Sequence, residues 1–169
     1  MQPVEVGTAV VVGIVTCGYI LRRLLFTQPH SSSLTDGQRR LRAQVALAAM
    51  ADSSPYNLHG HLSLMQADDG SIVLQMRLVP ELRNFLGSLH GGAIASAIDV
   101  ATTIAIVAHG GFPGVSTSLS VRYLNGCGPE EDVRIEPRVI RLGTTMAYTD
   151  CKIFRASDGV LMAHGSHVK

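Results

Sequence analysis

The sequence contains few aromatic residues and almost no net charge. Its 169 residues include no Trp, aromatic residues make up 5%, and 14 Lys and Arg against 13 Asp and Glu leave a formal net charge of +1. A protein that binds nucleic acid needs a basic surface or aromatic rings on which bases stack. The composition therefore excludes nucleic acid as the expected partner, whereas 46% hydrophobic residues are enough for a sizeable core.

Cysteine is also scarce. Cys17, Cys127 and Cys151 are widely spaced and odd in number, which is not a disulfide framework and is typical of a reducing compartment. The seven His residues are scattered, and only His59 and His61 would share one face of a predicted strand. Because no third ligand is evident, we expect no metal site, and nothing in the sequence requires a cofactor.

Formal charge is missing from residues 6–21, an apolar run followed by Arg22-Arg23. The run approaches the ~20 residues that span a bilayer if the arginine side chains snorkel. Basic residues on its C-terminal side favour a cytosolic location for the domain that follows. We therefore predict that residues 1–28 are a hydrophobic membrane anchor. Mitochondrial targeting is the alternative, although the run is neither amphipathic nor rich in Arg and Ser.

Residues 29–55 are predicted to connect this segment to the main domain, residues 56–169. Pro29 to Thr35 is Ser-rich and polar, as linkers are, and residues 36–50 have the pattern of a short amphipathic helix. Its basic face carries Arg39, Arg40 and Arg42. We expect this face to be solvated, with contact to anionic lipid as the alternative.

The main domain shows six segments with the alternating pattern of strands. Residues 58–66 and 71–79 flank the turn Asp68-Asp69-Gly70 and predict a β-hairpin. Turn residues separate the four later segments, which are residues 115–124, 133–142, 145–154 and 160–168.

Between the hairpin and the later strands lies a long apolar segment that begins near His90-Gly91-Gly92. Asp99 is the only formally charged residue between Arg83 and Arg122. Apolar residues fall on every face, so the segment is predicted to be a helix that is buried all round. The sequence thus predicts an α+β fold in which an antiparallel sheet wraps around one central helix.

A carboxylate in such a helix is costly unless it is paired, hydrogen-bonded or protonated. Asp99 is therefore either a structural residue or a functional carboxylate with a tuned pKa in a water-poor site. The Gly91-Gly92 pair favours function, because free N–H groups at a helix N-terminus attract negative charge and stabilise an oxyanion.

Gly91 and Asp99 are eight residues apart, which is ~12 Å along a helix. That distance is too long for both residues to act on one carbonyl group. Either only one of them matters, or the site joins Gly91 of one chain to Asp99 of a second chain in a two-fold dimer.

Several motifs resemble those of the PaaI-like hotdog-fold acyl-CoA thioesterases, and of the eukaryotic branch called thioesterase superfamily member 2 in particular. The resemblance covers residues 57–168, and the apolar N-terminus and the turn at residues 125–128 fall outside it. The shared residues are Asn84, Gly87, Leu89-His90-Gly91-Gly92, Asp99, Pro113-Gly114-Val115-Ser116 and Arg122-Tyr123-Leu124. The resemblance implies a hotdog fold, hydrolysis of acyl-CoA without a metal or cofactor, and a homodimer or homotetramer.

The resemblance also implies a site formed by Asn84, Gly91, Asp99 and Ser116. Gly91 would donate its N–H to the thioester oxygen, and Asp99 would activate water or attack directly to give an anhydride. Ser116 would hold the water or orient Asp99, and the Asn84 amide would bond the carbonyl or the water. His90 would fix the loop or bind the thioester, the latter together with Gly92, and a cap for the helix start is the alternative.

Four basic residues of the last strands are expected to bind the CoA phosphates, although solvated strand faces are the alternative for each. They are Arg138, Arg141, Lys152 and Arg155. Two other functions remain open from the sequence. A hotdog dehydratase or hydratase would pair a His with a carboxylate, and a non-catalytic protein would bind acyl-CoA without turnover.

Overall fold

The computed structural model describes residues 34–50, 58–68, 71–128 and 131–169. The apolar run at residues 6–21 and most of the predicted linker lie outside the described residues. The helices and strands are α1 (Asp36–Met50), β1 (Leu62–Ala67), β2 (Ile72–Met76), α2 (Gly91–Ala108), β3 (Ser118–Tyr123), β4 (Val133–Leu142), β5 (Ala147–Arg155) and β6 (Leu161–Val168). Short 3₁₀ turns occur at Leu58–His61 and Pro80–Leu82.

The six strands form one antiparallel sheet in the order β1-β2-β4-β5-β6-β3. β1 and β2 form the predicted hairpin, with Leu62 opposite Met76. β3 crosses to the far edge, where Ser118 lies opposite Val168 of β6. The predicted α+β fold is therefore confirmed, and β1 and β3 are the two edges of the sheet.

Strand boundaries differ most from the prediction at β1 and β3. β1 begins at Leu62, since Leu58–His61 is a 3₁₀ turn from which Leu58 already reaches the core. The prediction that His59 and His61 share a strand face is therefore wrong. β3 begins at Ser118, because Gly114, with φ of 64°, turns the chain shortly before it.

α2 packs on the inner face of the sheet, and its residues from Ala101 to Ala108 are all buried. Among the described residues α2 is the one helix long and apolar enough to cross a membrane, but 67% of it is buried inside the protein. The prediction that it is buried all round is wrong for its first half. A half-buried stripe runs along that half and consists of Gly91, Gly92, Ala95, Ser96, Asp99 and Val100.

α1 covers the second half of α2. Ala43 and Ala46 belong to the hydrophobic core, and Arg42 donates from Nε to the carbonyl of Val107 at 2.8 Å. That carbonyl lies in the last turn of α2, where the helix dipole favours a cation. Arg39 and Arg42 are buried, so the predicted solvated or lipid-facing surface is wrong for them, and only Arg40 is exposed.

The helix at residues 36–50 is thus confirmed in the predicted place. A domain boundary at residue 56 stays a prediction, although α1 contributes to the same core as the sheet.

Gly165 of β6 allows α2 to approach the sheet. A Cβ atom there would lie 2.9 Å from Cδ1 of Ile98 and 3.2 Å from the carbonyl oxygen of Ser120. We expect Gly165→Ala to lower the free energy of unfolding by about 1–3 kcal/mol, since overpacking forces the helix or the strand to shift.

The measurement is denaturant unfolding of the wild type and of two variants. Gly60→Ala is the control, because a Cβ at Gly60 would meet no heavy atom within 4 Å. Equal midpoints for Gly165→Ala and Gly60→Ala would contradict this account of helix–sheet packing.

Candidate active site

The loop before α2 is closed by the side chain of Asn84. Its Oδ1 accepts hydrogen bonds from the backbone N–H groups of Leu86 (3.0 Å) and Ser88 (3.1 Å). Gly87 has φ of 79°, which favours glycine, and permits the tight turn between them. The oxygen of Asn84 therefore shapes the loop, whereas its amide N–H₂ is the part that can donate to a ligand.

His90 is the N-cap of α2, and its Nδ1 accepts from the backbone N–H of Gly92 at 2.9 Å. The predicted capping role is confirmed, and contact of His90 or Gly92 with substrate stays a prediction. The cap uses the N–H of Gly92 but not that of Gly91, which has no acceptor among the described residues. An electronegative ligand atom at the helix start would thus meet the N–H of Gly91.

Tyr123 closes the helix start from the side of β3. Its hydroxyl donates to the carbonyl of Gly91 at 3.1 Å, and its ring would lie 3.5 Å from a Cβ at position 91. Sequence reasoning assigned Tyr123 no role in the site. Its alternation with Val121 places it on the inner face of the sheet, which was the one available signal.

Asp99 lies two turns further along α2, on the half-buried stripe, with 42% of its side chain exposed. Its Oδ1 is 3.0 Å from Nζ of Lys169 and 3.4 Å from Oγ of Ser116. The prediction of a water-poor surrounding is therefore wrong for the single protomer. The structure does bring Asp99 and Ser116 together, and their catalytic roles remain predictions.

His167 of β6 completes this cluster, and sequence reasoning missed it. Its ring is fully buried, with Nδ1 2.6 Å from Oγ1 of Thr102 and Nε2 3.0 Å from Oγ of Ser116. Burial lowers the pKa of His167 below its usual value, while the negative charge of Asp99 acts against this effect and Lys169 adds to it. A neutral imidazole therefore lies behind Ser116 at physiological pH.

The described residues thus form two separate clusters, one at the start of α2 and one beside its middle. The helix-start cluster comprises Asn84, His90, Gly91, Gly92 and Tyr123, and the carboxylate cluster comprises Asp99, Thr102, Ser116, His167 and Lys169. About 12 Å of helix separates Gly91 from Asp99. A single protomer therefore does not present both clusters to one carbonyl group.

The four predicted CoA-binding residues are not gathered at one place. Arg138 and Lys152 are exposed on the outer face of the sheet, opposite α2, and Arg141 is exposed near the end of β4. Arg155 instead lies 3.5 Å from Asp158 Oδ1 in an ion pair. Their roles toward CoA stay predictions. Within the described ranges, no group of three or more His, Cys, Asp or Glu is placed to hold a metal ion.

Comparison with known proteins gives one consistent result. The family model of the thioesterase superfamily matches residues 86–162. Acyl-coenzyme A thioesterase 13 of Homo sapiens is 32% identical over 111 residues, which cover 65% of this chain and 79% of that protein.

Two solved structures share the fold over most of their length. Zebra fish thioesterase superfamily member 2 has a TM-score of 0.69 and 31% identity, and the match covers 81% of this chain and 98% of that chain. The PaaI protein of E. coli has a TM-score of 0.67 and 18% identity, with 80% and 94% covered, which is a likeness of fold alone.

Proposed function

The chain belongs to the thioesterase superfamily and is an acyl-CoA thioester hydrolase, and we propose that Asp99 activates water for this reaction. The observation that carries the proposal is the position of Asp99. It is a half-exposed carboxylate on an otherwise uncharged helix, 3.4 Å from the hydroxyl oxygen of Ser116. A base must be reachable by water, and Asp99 is reachable from the open side of α2.

In the proposed mechanism the thioester oxygen accepts the N–H of Gly91. Asp99 takes a proton from water as the water oxygen attacks the carbonyl carbon, and negative charge develops on the thioester oxygen. The positive end of the α2 dipole and the N–H of Gly91 stabilise that charge. Collapse of the tetrahedral intermediate breaks the C–S bond, and the CoA thiolate leaves and takes up the proton that Asp99 holds, which restores the base.

The remaining residues position these reactants. Ser116 lies beside Asp99 and would hold the attacking water. The Oδ1 of Asn84 is used by the loop, so its amide N–H₂ would donate to the thioester. Direct attack by Asp99 would give an anhydride instead. A single turnover in water enriched in heavy oxygen tests for the anhydride. Direct water attack puts the label only into the released acid, so label found in Asp99 would show that the anhydride forms.

We propose that each site is shared between two protomers. The 12 Å along α2 keep the two clusters apart in one chain. β3 is an edge strand, and five of its six residues are exposed. Phe85 and Val115, which are 96% and 82% exposed, flank the helix-start and the carboxylate clusters respectively. Such an edge and such apolar side chains are typical of a surface that a partner covers.

The dehydratase alternative would require a histidine that reaches the substrate. The structure brings His167 to 3.7 Å from Asp99, but the ring is fully buried behind Ser116. His90 uses Nδ1 as a helix cap. The Nε2 atom of His167, the ring nitrogen nearest to Asp99, is thus shielded from substrate by Ser116, so hydrolysis is the better supported reaction.

Asp99→Asn keeps the shape of the side chain but removes the base. We expect kcat to fall roughly 10²–10⁴-fold in an acyl-CoA hydrolysis assay, the usual contribution of a general base. Asp132→Asn is the matched control, since Asp132 accepts a hydrogen bond from Gln75 at 2.7 Å, away from either cluster. Near-normal turnover by a folded Asp99→Asn protein would remove Asp99 from the mechanism.

Mixed dimers test whether sites are shared. Asn84→Asp retains an oxygen for the loop and loses the donating amide, so we expect this chain and the Asp99→Asn chain to be inactive separately. A dimer with one chain of each type has one intact site, and its kcat should recover to about half the wild-type value per dimer. Verified heterodimers without activity would show that both residues act within one chain.

We further propose that residues 1–28 anchor the protein to a membrane with the domain in the cytosol. The supports are the uncharged run at residues 6–21 and the following Arg22-Arg23. We expect the full chain to resist alkaline carbonate extraction and a chain that begins at His30, which retains α1, to be soluble and active. An uncleaved full chain in the soluble fraction would rule out the anchor. A shortened chain inside mitochondria would indicate a targeting segment.

A further inference from the structure

Ser116 lies between two groups that compete for its hydroxyl proton. Its Oγ is 3.0 Å from Nε2 of His167 and 3.4 Å from Oδ1 of Asp99. A hydroxyl group has one proton to donate and lone pairs to accept with. If Ser116 donates to His167, its lone pairs are available to accept a hydrogen bond from water. If it donates to Asp99, it occupies the base.

Thr102 determines which nitrogen of the neutral His167 ring carries the proton. Its hydroxyl lies 2.8 Å from the carbonyl of Ile98, to which it donates as threonines in helices commonly do. The same oxygen lies 2.6 Å from Nδ1 of His167, so it accepts from that nitrogen. Nδ1 then carries the proton, and Nε2 of the neutral ring presents a lone pair to Ser116.

We propose that neutral His167, held in its Nδ1–H form by Thr102, acts as a positioning residue that makes Ser116 a hydrogen-bond acceptor for the attacking water. When its hydroxyl donates a hydrogen bond to Nε2 of His167, Ser116 presents its lone pairs to the open side of α2. One water can then donate to both Oγ of Ser116 and Oδ1 of Asp99, and it points a lone pair toward the thioester. The inference rests on the proposed role of Asp99.

Protonation of His167 reverses the arrangement. An imidazolium donates from Nε2 to Ser116, so the hydroxyl proton turns to Asp99 and competes with water for the base. The titratable groups that face the ring are Asp99 of α2 and Lys169, which follows β6. Thr102 and Ser116 are its uncharged neighbours.

The acid limb of kcat is therefore expected below the usual histidine pKa of about 6.5, because burial lowers the pKa of His167.

Substitution of Thr102 tests the assigned tautomer of His167 while the Ser116 and Asp99 side chains are left unchanged. Thr102→Val has nearly the same shape but offers His167 no acceptor, so Nε2 becomes the protonated nitrogen. We expect kcat to fall roughly tenfold, the worth of one neutral hydrogen bond, with little change in KM. Thr102→Ser retains the hydroxyl group and should recover most of this loss.

Thr103→Val is the matched control. Thr103 is the next buried threonine of α2, and its hydroxyl donates to the carbonyl of Asp99 at 2.7 Å without a contact to His167. Equal kcat in Thr102→Val and Thr103→Val, at equal unfolding midpoints, would overturn the proposal.

Nitrogen NMR of the full protein gives a second readout that does not depend on activity. The signals of His167 are those absent from His167→Gln, and in the wild type at neutral pH they should show a protonated Nδ1 and a bare Nε2. A protonated Nε2 would overturn the proposal even if Asp99→Asn is inactive. If Asp99→Asn remains active while the NMR result holds, the proposed function fails and the tautomer assignment survives.

Discussion

Burial of α2 is the constraint on which the rest of the structure depends. The helix has no continuous polar face that could be exposed to water, so other parts of the chain must cover almost every side of it. The sheet covers one side, and Gly165 lets the two approach closely. α1 covers the second half, and Arg42 bonds to the carbonyl of Val107. Among the described residues, only the stripe of α2 that contains Asp99 is left open within the protomer.

The candidate site occupies the part of the helix that its own chain leaves uncovered. At the helix start the backbone N–H of Gly91 points away from the helix, where a ligand oxygen is favoured. Two turns on, Asp99 is held by Lys169 and Ser116 while water still reaches it. The same incomplete cover exposes Phe85 and Val115, which flank the two clusters, so the surface proposed to bind a partner adjoins the proposed substrate site.

Much of the fold could be predicted from sequence because it depends on local patterns. β4 has the predicted bounds, and α2 begins at the predicted glycines. The predictions were wrong where packing between segments that are distant in sequence determines which side chains are buried. Arg39 and Arg42 look like part of a solvated face on one helix, and only the packing of α1 in the folded domain shows them to be buried. Asp99 likewise looks buried from the sequence, because the sequence does not show which faces of α2 the sheet and α1 cover.

For the site, single residues were predicted more readily than the cluster that supports them. Asp99 could be found as the only charge in an apolar segment, but nothing local distinguishes His167 from the neighbouring His164. The difference is strand register. His167 lies opposite Thr149 on the inner face of the sheet and meets Thr102, whereas His164 lies opposite Lys152 and pairs with Asp150. Antiparallel pairing alternates the two faces, so a shift of one residue would exchange them. The register of β5 and β6 therefore determines which histidine faces the hydroxyl of Ser116.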